Sequence, residues 1–155
     1  QWIEYDLSRK FPPQFAAAGY RYRSHVYMAL KRYDDAINDL NRAVKGDPKN
    51  SGNYSSLAEI YHIRKQFDDE ARCLTECIRL DGRDALYGRR AKAYREAKRY
   101  DLSLKDFTHG IALEPQNTVL LVERAQLYDL MGKHALAQQD RKKAQELDKG
   151  LFDKS

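Results

Sequence analysis

A chain that repeats itself at a fixed interval builds its fold by stacking copies of one small unit, and the interval decides which unit is available. Here Tyr27, Tyr61, Tyr94 and Tyr128 are separated by 34, 33 and 34 residues. Tyr33, Phe67, Tyr100 and His134 keep the same intervals, and so do Pro48, Gly82, Pro115 and Lys149. Small residues hold register too, with Ser24, Ala58, Ala91 and Ala125 in one column and Ala43, Cys77, Gly110 and Ala144 in another. The single missing residue falls near Gly82 to Leu86, among turn-forming neighbours.

Each unit predicts two amphipathic helices. YSSLAEIYHI, from Tyr54, and YGRRAKAYRE, from Tyr87, carry large residues at helical spacing around a small one. A second helix is expected to open at Asp34, Asp68 or Asp101, whose carboxylates can accept from unpaired amides. It closes in KGDPKN, RLDGRD or ALEPQN, where Pro or Gly stops the helix and Asn or Asp can cap the next. First helices are expected near 17–30, 51–64, 84–97 and 118–131, and second helices near 34–46, 68–80, 101–113 and 135–147.

On these residues the chain resembles the tetratricopeptide repeat family. The first unit supplies Tyr20, Ser24, Tyr27, Tyr33, Ala36, Leu40, Ala43 and Pro48 of its pattern. The third supplies Tyr87, Ala91, Tyr94, Tyr100, Phe107 and Pro115, with Ser103 and Gly110 where alanines are usual. The second departs at Glu70 and Gly82, and the fourth at His134, Arg141 and Lys149. The resemblance implies an all-α fold, a right-handed α-solenoid of four helix-turn-helix hairpins over 17–50, 51–83, 84–117 and 118–151.

One column departs from the family in a patterned way. Arg23, Arg90 and Arg124 stand where Leu is common, and Asp39, Asp106 and Asp140 follow sixteen residues later. The second unit has Leu57 and Cys73 at these places. A hairpin of antiparallel helices brings the two columns together, so three structural ion pairs are expected, each a common use of arginine in a partly desolvated setting.

Nothing in the sequence points to catalysis. There is no Gly-rich loop between strand and helix, and His25, His62, His109 and His134 fall in different columns. His134 stands in an aromatic column and is expected to pack there. Cys73 and Cys77 lie four apart on one helix, which suits neither a disulfide nor a four-ligand zinc site, and they read as buried thiols. No cofactor, metal or small-molecule substrate is expected. No apolar run is long enough to cross a membrane, and the few cysteines suit a reducing, cytoplasmic setting, although a signal removed ahead of Gln1 would leave no trace. The net charge of +5 is spread along the chain and does not by itself indicate nucleic acid.

The resemblance also implies which residues line the concave wall that such arrays use to bind extended partners. They include Arg21, Tyr22 and His25 in the first unit, Ser56, Glu59 and His62 in the second, Arg89, Lys92 and Arg95 in the third, and Glu123 in the fourth. Gly52, Ser55, Ser56 and Gly88 are expected to leave room for a peptide backbone. Arg21, Arg89, Lys92 and Arg95 are the cations left on this wall once the structural pairs are removed, so the expected ligand is an acidic or C-terminal segment. The carboxylate clamp of some chaperone-binding relatives is not matched: Arg21 and Arg89 fit it, but His25, Ser56 and Ala85 do not.

Residues 1–16 carry Trp2, Ile3, Tyr5, Leu7 and Phe11 ahead of Pro12 and Pro13. They read as the second helix of an earlier, truncated unit stopped by proline, or as a simple extension. After Leu147 only DKGLFDKS remains, with 152–155 as a tail. The function expected is a scaffold or adaptor that binds a peptide segment or protein domain in its groove. The alternative is a structural module that self-assembles through incompletely capped ends, and RNA binding is weaker because the basic residues form no continuous stripe.

Overall fold

The computed structural model describes residues 12–152. The described residues form eight helices, α1 (Pro13–Ala29), α2 (Tyr33–Gly46), α3 (Ser51–Ile63), α4 (Phe67–Asp81), α5 (Ala85–Glu96), α6 (Tyr100–Leu113), α7 (Thr118–Leu130) and α8 (His134–Phe152). They pack as the expected hairpins, α1 with α2, α3 with α4, α5 with α6 and α7 with α8. The chain divides into two compact units, Gln1–Gly82 and Arg83–Ser155.

Two boundaries differ from expectation. The first helix begins at Pro13, ahead of the expected residue 17, with Pro12 as its N-cap, since proline suits the first helical turn, where its missing N–H has no partner to lose. The reading of Trp2 to Phe11 as an earlier helix lies outside the described residues, as do residues 153–155. The last helix continues past Leu147 to Phe152.

Helix ends follow the chemistry of the turns. Asn50 Oδ1 accepts from the Gly52 amide at 3.1 Å and Asn117 Oδ1 from the Leu120 amide at 3.2 Å, so both asparagines cap as expected. Asp34, Asp68 and Asp101 do not. The second helices start one residue earlier, at Tyr33, Phe67 and Tyr100, which places these carboxylates in the first turn, where they favour the positive end of the helix dipole.

Between the two helices of every hairpin the chain makes the same turn. Arg32, Gln66, Arg99 and Lys133 each donate their amide to the carbonyl of Tyr27, Tyr61, Tyr94 or Tyr128 at 2.8 Å. The residue before each donor is left-handed: Lys31 (φ 57°), Lys65 (57°), Lys98 (59°) and Gly132 (72°). This is a Schellman ending, in which glycine carries no Cβ penalty and lysine does. Lys98→Gly is therefore expected to stabilise the chain by about 0.5–1 kcal/mol, measured by thermal melting.

The core of the first unit gathers Tyr27, Ala36, Leu40, Leu57 and Ile60, flanked by a second cluster of Ala16, Ala17, Tyr20 and Ala43. The second unit buries Ala91, Phe107 and Leu127, with a further group of Ile111, Leu121 and Ala144. Ser24, Ala58, Ala91 and Ala125 are all fully buried, so the small column faces the packed interior of each hairpin. Ser103, buried where alanine is usual, donates to the Ala91 carbonyl at 2.7 Å and so leaves no unpaired hydroxyl.

The three expected ion pairs are present, and each is bidentate. Arg23 binds Asp39 at 2.5 and 2.7 Å, Arg90 binds Asp106 at 2.7 and 2.8 Å, and Arg124 binds Asp140 at 2.8 Å twice. Tyrosine rings pack the guanidinium groups: Arg23 lies 5.4 and 5.9 Å from the centroids of Tyr20 and Tyr27, and Arg90 lies 5.4 and 5.7 Å from those of Tyr87 and Tyr94. Arg124 lies 5.6 Å from that of Tyr128. Hydrogen bonds to the aspartates raise all three arginine pKa values, against the opposing effect of burial. In the second hairpin Leu57 is in the core, with Cys73 packed against it.

Candidate functional site

In the first unit the expected wall residues lie on α1 and α3, and several meet. Arg21 Nη1 is 3.5 Å from Asn50 Oδ1, and a Cβ added at Gly52 would fall 2.8 Å from the same nitrogen. The free end of the Arg21 side chain lies over Gly52 and fills the space that this glycine was expected to leave for a ligand backbone. His25 Nε2 is 3.2 Å from Ser56 Oγ, which donates to the Gly52 carbonyl at 3.0 Å. Tyr22 is 68% exposed, with the Arg21 guanidinium 5.9 Å from its ring centroid. Glu59 is exposed. His62 contacts the carboxylate of Glu70, its Nδ1 2.9 Å from Oε2, and meets the Phe67 ring edge-on. That partner was hidden in the sequence, since Glu70 occupies a position the repeat usually gives to alanine, and it is buried.

In the second unit the wall residues lie on α5 and α7. Lys92 Nζ is 2.6 Å from Glu123 Oε1, and Arg95 Nη1 is 2.7 Å from Glu123 Oε2 and 3.1 Å from Gln126 Oε1. Lys92 and Arg95 are thus not cations left over for a ligand. The neighbouring first helix supplies their carboxylate, which corrects the expectation from charge counting. Arg95 Nε is also 3.5 Å from Glu96 Oε1, and Arg89, half-buried, lies on α5 one turn before Lys92. A Cβ at Gly88 would meet Leu120 Cδ2 at 2.7 Å, so this glycine also serves internal packing rather than ligand access. Val119, Val122 and Leu130 expose apolar surface along α7 at 60%, 40% and 58%.

Burial pushes the Glu123 carboxylate up, but hydrogen bonds from Lys92 and Arg95 outweigh it and hold the pKa below its ordinary value. A depressed folded pKa contributes stability above the unfolded value of about 4.3, and that stability is lost as pH falls through the folded pKa. Glu123→Gln should therefore flatten part of the acid limb of stability below about pH 4.3, by roughly 1 kcal/mol or less for a pair this open to solvent. Melting temperatures across that range check it.

The remaining expected features sort differently. His134 does not pack in its aromatic column. It is exposed at the start of α8, and its Nδ1 is 3.1 Å from Asp129 Oδ1. Arg141 pairs with the same carboxylate and, ahead of His134, lowers its pKa. Cys77 is buried, but Cys73 is only half-buried, and burial, with Cys77 beside it, pushes its thiol up to about 12. No helix among the described residues is long and apolar enough to cross a membrane.

Residues 17–50 and 85–117 each match a tetratricopeptide repeat model, so the chain carries tetratricopeptide repeats in its first and third hairpins. None of the curated proteins compared with it matches. Solved structures share its fold. A structure of MamA is 18% identical with a TM-score of 0.74, over 88% of this chain and 81% of that one. MamA from Desulfovibrio magneticus RS-1 is 13% identical with a TM-score of 0.74, over 86% and 76%. A MamA MSR-1 structure is 22% identical with a TM-score of 0.72, over 84% and 75%. Tetratricopeptide repeats are protein-interaction modules, which stack to form extended binding surfaces.

Proposed function

We propose that the chain is an adaptor module that binds an acidic segment of another protein along its first-helix faces. The observation that carries this reading is the α5–α7 face. There Lys92 and Arg95 share the carboxylate of Glu123, with the half-exposed Glu96 also 3.5 Å from Arg95, Arg89 adds charge, and Val119, Val122 and Leu130 expose apolar surface on α7. A partner carboxylate can exchange with Glu123 at the cations while apolar side chains of the same segment cover the valines, the mixture of apolar core and polar rim common at interfaces. On the α1–α3 face Arg21, Tyr22, His25, Ser56, Glu59 and His62 offer smaller, mixed contacts. An array of acidic, neutral and basic peptides probed with the full chain tests the charge preference. Acidic peptides should be retained, and less so as salt rises; equal retention of neutral and basic peptides would overturn it.

A second reading is favoured by α1. Phe15, Tyr22, Val26 and Leu30 are 64%, 68%, 50% and 55% exposed and share one helical face. An unpartnered stripe of this kind suits self-association. Sedimentation should then show dimers that Val26→Glu weakens at least about tenfold; a monomer at every concentration would remove this reading.

A further inference from the structure

The four hairpins serve as controls for one another. In three of them an arginine of the first helix lies over tyrosine rings and is bound by an aspartate of the second. The hairpin of α3 and α4 keeps the tyrosines, Tyr54 and Tyr61, but has Leu57 for the arginine and Cys73 for the aspartate. Both rings are half-buried, and among the described residues no cation stands over either of them.

In this hairpin Leu57 and Cys73 stand at the places of the arginine and the aspartate, and a cavity lies beside them as one does beside Arg90 and Asp106. The cavity here, of about 220 Å³, opens at the surface, with Leu57, Cys73, Tyr54, Tyr61, Asp69 and Glu76 in its lining. Asn41 also lines it, in the column where Thr108 accepts from Arg124 Nη1 at 3.3 Å. The site therefore keeps the aromatic faces and an added polar group from the helix before, has two carboxylates and the Arg72 side chain in its lining, and lacks the arginine of the first helix.

We propose that this cavity is a docking seat for an arginine side chain of a partner protein, which stacks on Tyr54 and Tyr61 and pairs with Asp69 and Glu76. Arginine fits better than lysine, because a planar guanidinium both stacks on rings and forks onto carboxylates. The carboxylates are available to it. Asp69 is paired with Arg72 and Glu76 with Arg79, but both are surface pairs three residues apart, with the arginine side chains 79% and 60% exposed. Pairs of this type contribute little and exchange readily. Arg72 itself lines the cavity and is the competitor an incoming guanidinium displaces. A thiol titrating near 12 leaves Cys73 neutral, which disfavours a metal or a nucleophilic role for the same pocket. None of these residues belongs to the inward-facing wall, so this seat stands or falls separately from the groove reading.

The probe is the blocked tripeptide acetyl-Gly-Arg-Gly-amide, titrated into the isotopically labelled full chain, beside the same peptide carrying uncharged citrulline. Arginine should shift the amide resonances of Tyr54, Tyr61 and Cys73, and citrulline should bind about tenfold more weakly. The double variant Leu57→Arg, Cys73→Asp rebuilds the clasp of the other hairpins and should abolish the response. Glu76→Gln, a change at a half-exposed position that leaves the core untouched, should weaken binding severalfold and keeps the question answerable if the double variant does not fold. Equal binding of the citrulline peptide, shifts confined to other helices, or a response unaltered by Glu76→Gln would each overturn the proposal.

Discussion

Asp106→Ala is expected to lower the unfolding free energy by about 2–4 kcal/mol, because it strands a largely buried guanidinium. The Arg90 and Asp106 side chains are 15% and 6% exposed, and two parallel hydrogen bonds join them. Removing the carboxylate leaves Arg90 between Tyr87 and Tyr94 with its charge partner gone but little more water. The cost is that of a buried charge losing its carboxylate rather than the net worth of the pair. The double variant Arg90→Leu, Asp106→Cys, which copies the apolar solution of the second hairpin, should recover most of the loss. Chemical denaturation of the two singles and the double gives a coupling expected at roughly 0.5–3 kcal/mol. Additive effects would show that the pair is not coupled.

Phe107→Ala is expected to cost about 3–5 kcal/mol, as large as or larger than the loss of the clasp. Phe107 is fully buried among Ala91 and Leu127, with Tyr100, Leu104, Leu120 and Met131 packed around it. Its nearest buried neighbour on α5 is an alanine and another neighbour, Leu120, already abuts Gly88 and Gly110 at short range. The surroundings have little freedom to collapse into the space, so the cavity persists and the transfer and cavity costs add. A loss of this size is a large fraction of the 5–15 kcal/mol typical of a whole domain. Equilibrium denaturation measures it, and a loss below about 1 kcal/mol would mean that the packing around Phe107 is loose.

What the sequence disclosed and what it hid follow from where each contact lies relative to the repeat. The Arg–Asp clasps were legible because both partners recur together, at one spacing, inside a single hairpin. The substitution of both in the Leu57 and Cys73 hairpin strengthened that reading. The Lys92–Glu123–Arg95 cluster was not legible, since its partners belong to different repeats and no other unit contains a copy. Charge counting treated them as spare cations for that reason. The glycines misled similarly: Gly52 and Gly88 looked like open space, but Arg21 and Leu120 occupy it. The left-handed turns were hidden by chemistry, because three of the four use lysine where glycine is the usual signal.

Protein binding through the first-helix faces is tested most directly by one comparison. Proteins captured by the wild-type chain are quantified beside those captured by the Arg89→Glu, Lys92→Glu variant, with the fold of both verified by thermal melting. Reversing two charges on α5 should lower capture of the specific partners at least about tenfold, as expected when charge pairs at an interface are broken. The same proteins captured in the same amounts by a folded variant would contradict the first-helix face as the docking surface.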